Sequence, residues 1–410
     1  MRLGVVSLLA LLLVATSAQA SEQVVMTAPS ADPAGVARSV GATPDRVFDA
    51  LEGFSADLNA HQVDALAHNP HVQTIEPSVS MTTQGQGLPT GVNRVNAEPG
   101  GNQGSGIAVA ILDTGIDLDH PDLHVSGSSS PVNGTNCLTP GASADDDNGH
   151  GTEVAGVVGA HNNTFGVIGV AAKAKLYAVK AAGSDGHGTT ALFTCALNYV
   201  DAHSPAKGGE IKVANISSTA VGSDDNNCGL TNNDSLHQAV CRVVNDGVTV
   251  VAAAGNDGTD FANLRPASYD QVITATALSD YDGKPCGLAT GFADADDTPA
   301  SFTNWTATER SVHTLMAPGQ NILSTNIGGT YVTRSGTSLA APHIAGSAAL
   351  YIFGHPGATP AAVYSGLRSV AEPPGNNING ECTGLGYGFS HITTGSPNNS
   401  ERVVRDDTLR

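Results

Sequence analysis

The sequence predicts an α/β fold, with a mostly parallel central sheet flanked by helices on both faces and a small α+β domain preceding it. Three observations carry that expectation. Short apolar runs at Ile107–Leu112, Leu176–Val179, Ile211–Ile216, Val248–Ala254 and Val272–Ala277 read as buried strands. Helical stretches at Gly151–Ala160, Thr189–His203, Ser235–Asn245 and Ser338–Phe353 alternate with several of them, which implies right-handed crossovers and parallel pairing. Aromatic residues make up only 4% of the 410 residues while 48 are Gly, which suits closely apposed backbones in a buried parallel sheet.

The elements follow in chain order. Residues Met1–Ala20 read as a signal peptide: Arg2 supplies the positive start, Leu8–Val14 is apolar, and Ala18-Gln19-Ala20 is a small-residue cleavage site. That apolar run is too short to span a bilayer, so export without a membrane anchor is expected. Val47–Leu58 has strand character. Asn59 with Gln62 makes a capping box that opens a short helix through Val63, Leu66 and Ala67. Pro70 ends that helix, and His71–Glu76 reads as another strand. Thr82–Gly91 is rich in Gly, Gln and Thr and reads as an exposed linker. The runs listed above then alternate, and Thr359-Pro360 caps a last helix to Val370.

Composition excludes several classes. Lys and Arg number 18 against 38 Asp and Glu, a net charge of −20, which would be repelled by phosphate backbones, so no nucleic-acid partner is expected. With 40% hydrophobic and only 14% charged residues, the chain is not a disordered one. After export, the six cysteines (Cys137, Cys195, Cys228, Cys241, Cys286, Cys382) favour disulfides, and ~15 pairings stay open. No Cys-x-x-Cys pair exists, which argues against a zinc ribbon. Glycosylation acceptor sites stand at Asn133, Asn162, Asn233 and Asn304, among others.

Three segments place a reactive side chain at the end of a buried element. The strand Ile107–Leu112 runs into Asp113-Thr114-Gly115 and His120-Pro121-Asp122-Leu123, where an Asp followed by a Gly turn is held semi-buried. In Asn148-Gly149-His150-Gly151-Thr152 a His projects from a helix start between two glycines, and its neutral form can accept a proton. In Ser335-Gly336-Thr337-Ser338-Leu339-Ala340-Ala341-Pro342-His343, Ser338 opens an apolar helix whose backbone donors would face an anion, with Pro342 expected within the first turn. Singly, each also reads as a turn Asp, a loop His or a helix-capping Ser.

Together, with Val154-Ala155-Gly156 and Ala345-Gly346, the three segments closely resemble the signatures of the subtilase family of serine proteases, in the chain order Asp, His, Ser. The resemblance covers about Gly91 to Val370. It implies a subtilisin-like fold and a serine endopeptidase in which Ser338 attacks the peptide carbonyl, His150 carries the proton and Asp113 supports the imidazolium. Ala252–Gly258 is similar to the family segment that supplies an oxyanion donor, which nominates Asn256. Asn304 and Met316-Ala317-Pro318-Gly319 match landmarks that read as structural.

For substrate binding, the resemblance nominates two edges and a pocket. One edge is the Ser217-Ser218-Thr219 segment, where the family usually has Leu-Gly-Gly, and the other is Gly186-His187-Gly188. Ala253, Ala254 and Gly255 would line a small, uncharged primary pocket, giving broad specificity with an apolar preference. Glu153, where close relatives often have His, is taken as neutral for the reaction. Val47–Ser78 resembles the family's propeptide, an intramolecular chaperone and inhibitor. The implied organisation is a signal peptide at 1–20, a propeptide at 21–86 and a catalytic domain at 87–410, with self-cleavage in Thr82–Gly87.

The partners so implied are protein or peptide substrates and the chain's own propeptide, and a secreted monomer is expected. No cofactor is required for the chemistry. The family frequently binds structural calcium, and Asp145-Asp146-Asp147-Asn148, Asp224-Asp225-Asn226 and Asp294-Ala295-Asp296-Asp297 are oxygen-rich loops, with no ligand set assignable. Two other readings compete: a catalytically silent protein-binding homologue, and a zinc hydrolase built from His150, Glu153 and His161, although no His-Glu-x-x-His exists.

Overall fold

The computed structural model describes residues 20–78, 86–97, 101–123, 131–285, 289–306, 313–372 and 402–406. Two compact units divide between Thr83 and Gln84. The expected signal peptide, most of the expected cleavage segment, Cys286 and Cys382 lie outside the described residues.

The N-terminal unit runs β1 (Ser21–Thr27), α1 (Pro33–Ser39), β2 (Arg46–Phe48), β3 (Gly53–Leu58), α2 (Ala60–Ala67) and β4 (Val72–Pro77). The strands form an antiparallel sheet in the order β2-β3-β1-β4. The capping box is present, with Asn59 Oδ1 accepting from Gln62 N at 3.1 Å and Gln62 Oε1 accepting from Asn59 N at 3.0 Å. Val25, Val36, Phe54, Ala56, Leu58 and Leu66 make the core. Val47–Leu58 is two strands rather than one, because the chain turns through Glu52, whose φ is +55°, and pairs Phe48 with Gly53. The inner strand β1 escaped the sequence because its buried face carries Gln23 and Thr27 beside Val25, which hides the apolar alternation.

The C-terminal unit continues with α3 (Thr90–Arg94), β5 (Ala108–Asp113), β6 (Val132–Asn136), α4 (His150–Gly159), β7 (Lys175–Lys180), α5 (Thr190–Ala202), β8 (Ile211–Ile216), β9 (Ala220–Val221) and α6 (Ser235–Asn245). There follow β10 (Thr249–Ala253), β11 (Leu264–Arg265), β12 (Val272–Ser279), β13 (Thr298–Pro299), β14 (Thr314–Pro318), β15 (Ile322–Asn326) and β16 (Thr330–Arg334). The chain closes with α7 (Thr337–Gly354), α8 (Pro360–Val370) and β17 (Arg402–Val403). A parallel sheet in the order β17-β14-β12-β10-β8-β5-β7-β6 forms the centre, with β13 added antiparallel to β12.

Alternation along β5 shows why both faces are covered. Ala108, Ala110 and Leu112 point into a core shared with Ala196, Leu197 and Val200 of α5 and with Leu236, Val240 and Val243 of α6. Val109 and Ile111 point the other way, onto Val154, Ala155 and Val158 of α4 and Ile344, Ala345 and Ala348 of α7. A strand buried on both faces has no polar positions to alternate, hence the continuous apolar run in the sequence.

Two disulfides, Cys137–Cys195 and Cys228–Cys241, select among the open pairings. The expected linker ends earlier than Gly91: Gln86 Nε2 donates to the carbonyls of His161 and Val167, and α3 begins at Thr90. Asn304 is fully buried and cannot serve as a glycosylation site in this fold.

Candidate active site

Parallel strands bring their carboxyl ends to one edge of the sheet, and the nominated residues gather there. Leu112 of β5 pairs with Ile216 of β8, and Ile216 with Ala252 of β10, so Asp113, Ser217 and Ala253 are neighbours by register. The first turn of α4 closes onto the end of β5. A Cβ on Gly151 would stand 2.1 Å from Gly115 O and 3.1 Å from the Asp113 side chain, a contact only glycine permits. Gly151 N instead donates to Thr114 Oγ1 at 2.9 Å.

Asp146 fixes the start of α4, a role the sequence did not suggest. Its carboxylate accepts from Asn148 N, Gly149 N, Thr152 N and Thr152 Oγ1, replacing the side-chain cap that Gly149 cannot supply. Burial works against its charge, but the Thr152 hydroxyl and the three amides hold it below the usual carboxylate range. An Asp three residues ahead of a glycine that opens an apolar helix, Asp146-Asp147-Asn148-Gly149, is the signal that could have found it.

So held, His150 places Nδ1 2.7 Å from Asp113 Oδ1. Asp113 is 1% exposed, whereas the imidazole is about one-third exposed, so one ring edge is open. The charge of Asp113 outweighs burial and, with this hydrogen bond and the charges of Glu153 and Asp146, pushes His150 up to about 9.

Ser338 is the second residue of α7, which packs against α4. Pro342 lies inside this helix rather than in its first turn. A proline there has no N–H to give the carbonyl four residues back, which is that of Ser338. Ser217 Oγ fills the gap: it donates to Ser338 O at 2.8 Å and accepts from Asn215 Nδ2 at 2.9 Å. The Ser217 side chain is therefore used inward, as a brace on the serine helix, and not towards a substrate.

Asn256 is locked by its oxygen. Oδ1 accepts from Thr337 N at 2.8 Å and Thr337 Oγ1 at 2.9 Å, while Thr337 Oγ1 accepts from Gly255 N at 3.0 Å. That leaves Asn256 Nδ2 as the free donor end. The site of a Cβ on Gly336 lies 2.9 Å from Ser338 Oγ and 3.5 Å from Asn256 Nδ2, so the hydroxyl and the amide converge on one small volume. Gly255 must be glycine, since φ is +100° and a Cβ would stand 2.4 Å from Asn304 Nδ2. Asn304 itself is structural, accepting from Asp257 N and Thr259 N and donating to Ala254 O.

Gly186, Gly188, Ser218 and Thr219 line a cavity of about 280 Å³ together with Phe193, Ile216, Leu236 and Arg265. Ala253 and Ala254 do not supply a pocket wall with their side chains. Ala253 packs into the main core and Ala254 against Phe261 and Ala267.

The zinc alternative fails on His161. Its Nδ1 is 3.0 Å from Ala172 O and its Nε2 is 2.9 Å from Leu123 O, so both ring nitrogens face backbone carbonyls, and His161 forms no cluster with His150 and Glu153 among the described residues. In the acidic loops the carboxylates already hold partners of the chain itself, and Asp224 and Asp225 gather with His237. Besides Asp146, Asp225 accepts from Asn227, Gly229, Thr231 and Asn232 amides, and Asp147 pairs with Lys180 at 2.7 Å. Asp296, from the third loop, gathers with Asp280 and Asp282, but its two oxygens already accept from Tyr281 N and Ala289 N, and Arg94 Nε stands 3.3 Å from Asp280.

A model of the subtilase family matches residues 104–388, and one of the peptidase inhibitor I9 family matches residues 14–84. M-protease of Shouchella clausii (strain KSM-K16) is 36% identical over 332 residues, covering 80% of this chain and 76% of that protein. Subtilisin E of Bacillus subtilis (strain 168) is 34% identical over 364 residues, 87% of this chain and 85% of that protein. Among solved structures, a cold adapted subtilisin-like serine proteinase superposes with a TM-score of 0.57 at 26% identity, covering 77% of this chain and 97% of that one.

Proposed function

The chain belongs to the subtilase family of serine endopeptidases, and from that premise we propose that Asp113, His150 and Ser338 form its catalytic triad, with Asn256 as oxyanion donor, in a secreted enzyme made as a self-processing zymogen. The observation that carries this is the convergence of Ser338 Oγ and Asn256 Nδ2 beside Gly336, on the sheet edge where Asp113 holds His150 at 2.7 Å.

The chemistry follows from which atoms are already engaged. Asp113 Oδ1 accepts the Nδ1 proton, so neutral His150 carries its lone pair on Nε2. Nε2 takes the Ser338 Oγ proton as Oγ bonds to the scissile carbonyl carbon. The carbonyl oxygen becomes an oxyanion, and Asn256 Nδ2 and the Ser338 amide donate to it. Collapse expels the amine, which takes the proton back from His150 and leaves an acyl-enzyme on Ser338. Water, deprotonated by His150, then releases the acid. None of these steps uses a metal.

The substrate would lie between the Gly186–Gly188 and Ser218–Thr219 segments, which share the 280 Å³ cavity. Phe193, Ile216 and Leu236 line that cavity, which supports an apolar preference. We assign residues 1–20 to a signal peptide, 21–86 to the propeptide and 87–410 to the catalytic domain. Expression of Ser338→Ala tests the processing scheme: the chain should accumulate uncut, with residues 21–86 still attached. Normal maturation of that variant would refute self-cleavage.

A further inference from the structure

Glu153 has no part in the steps above, yet it sits one helical turn beyond His150 on α4, on the same side of the helix. It is 1% exposed, and its Oε1 makes no hydrogen bond. Its Oε2 lies 3.4 Å from Arg334 Nε, at the end of β16. Arg334 is separated from Ser338 only by Ser335, Gly336 and Thr337. The pair thus joins the helix carrying the base to the segment leading into the nucleophile. The expectation that Glu153 is neutral for the reaction is therefore open to question on this geometry.

As a stabilising bond the pair is a poor investment. Arg334 is about half exposed, and a half-exposed ion pair contributes little, while burying a carboxylate is costly. An uncharged side chain of the same shape would pack there without that cost. The charge is explained by what it faces: Arg334 from β16, His150 from its own helix and Asp113 from the end of β5. His150 in turn faces Asp113, Glu153 and Asp146.

Resting on the triad reading, we propose that Glu153 is a positioning residue that tunes the base: its carboxylate, tethered by Arg334, adds a second negative charge beside His150 and moves the enzyme's working range to more alkaline pH than Asp113 alone would set. Burial pushes the Glu153 carboxyl up to about 7, against the pull of Arg334 and His150. It therefore ionises within the range where His150 is still protonated, and in doing so holds the imidazolium more firmly.

The test is the pH dependence of kcat/KM for the mature wild type, E153Q and E153M, on a neutral peptide substrate. Both neutral variants should move the acidic midpoint down by about 0.5–1 pH unit, which raises kcat/KM roughly 3- to 10-fold below the midpoint, with KM little changed. E153D, which keeps the charge, should stay near the wild-type midpoint. A packing role alone would lower Tm or kcat and leave the midpoint in place, and that result overturns the proposal. Where maturation fails, titration of the His150 ring by NMR in the Ser338→Ala background reads the same shift. Labelling of wild-type Ser338 by a fluorophosphonate separates the two failures: without labelling the triad reading falls, whereas labelling with an unmoved midpoint removes only the role of Glu153.

Discussion

Ser217→Ala should loosen the serine helix, and Pro342→Ala should largely cancel the damage. Removing the Ser217 hydroxyl orphans two groups at once: the carbonyl of Ser338, already deprived of a backbone partner by Pro342, and the amide of Asn215, which is fully buried. Each buried group left unsatisfied costs about 1–3 kcal/mol, so S217A should lose about 2–6 kcal/mol. For a domain of this size that corresponds to roughly 3–9 °C in Tm. Alanine at 342 restores an N–H four residues beyond Ser338, able to close the missing helical bond. The penalty of S217A should then fall by about 1–2 kcal/mol in the P342A background. Thermal and urea unfolding of the four chains, all carrying Ser338→Ala to prevent self-digestion, measures the cycle. Strictly additive effects would refute the idea that Ser217 exists to fill the gap left by the proline.

The remaining predictions concern the oxyanion donor, the base, a buried arginine and the disulfides. Asn256→Ala should lower kcat by ~100- to 1000-fold with little change in KM, the magnitude known for the oxyanion-donor Asn of subtilisin; an unchanged kcat argues against the role. Because the base works only when neutral and Asp113 pushes His150 up to about 9, kcat/KM should climb with pH well above the ordinary imidazole range, and a midpoint at or below about 6.5 contradicts this. The same raised pKa means that the Asp113–His150 pair stabilises the fold fully below about pH 6.5 and loses that contribution as pH rises towards 9. Arg94 is almost fully buried and pairs with Asp297 at 2.8 Å, Glu372 at 3.1 Å and Asp280 at 3.3 Å, so Arg94→Met should destabilise by about 3–5 kcal/mol in urea unfolding, most severely at alkaline pH where the stranded acids are charged. Replacing both Cys137 and Cys195 by Ser opens a 58-residue separation and should cost about 4 kcal/mol, against about 3 kcal/mol for the 13-residue separation of Cys228 and Cys241; calorimetry that reversed this order would argue against loop closure as the main term.

Strands buried on both faces were legible because nothing polar interrupts them, and β5, β7, β8, β10 and β12 all stand where apolar runs appear. The polar edge strand β6, Val-Asn-Gly-Thr-Asn, has no such signature, and the short β14 merged with a motif read only as a landmark. At the site, the short motifs pointed to Asp113, His150 and Ser338, since glycines and a helix start constrain their surroundings. The braces were hidden because they depend on distant pairings: Ser217 reaches a carbonyl 121 positions away, and Glu153 meets Arg334 across the hairpin of β15 and β16. Ala253 and Ala254 misled for a related reason, as their segment borders the site while their side chains face two cores.

Covalent trapping tests the central claim most directly. The secreted, processed protein is treated with a fluorophosphonate, weighed intact and mapped by peptide. A single adduct on Ser338, absent in Ser338→Ala and strongly slowed in His150→Ala, is the predicted result. Proteolytic activity that persists without Ser338 modification, or an adduct on another residue, would contradict it.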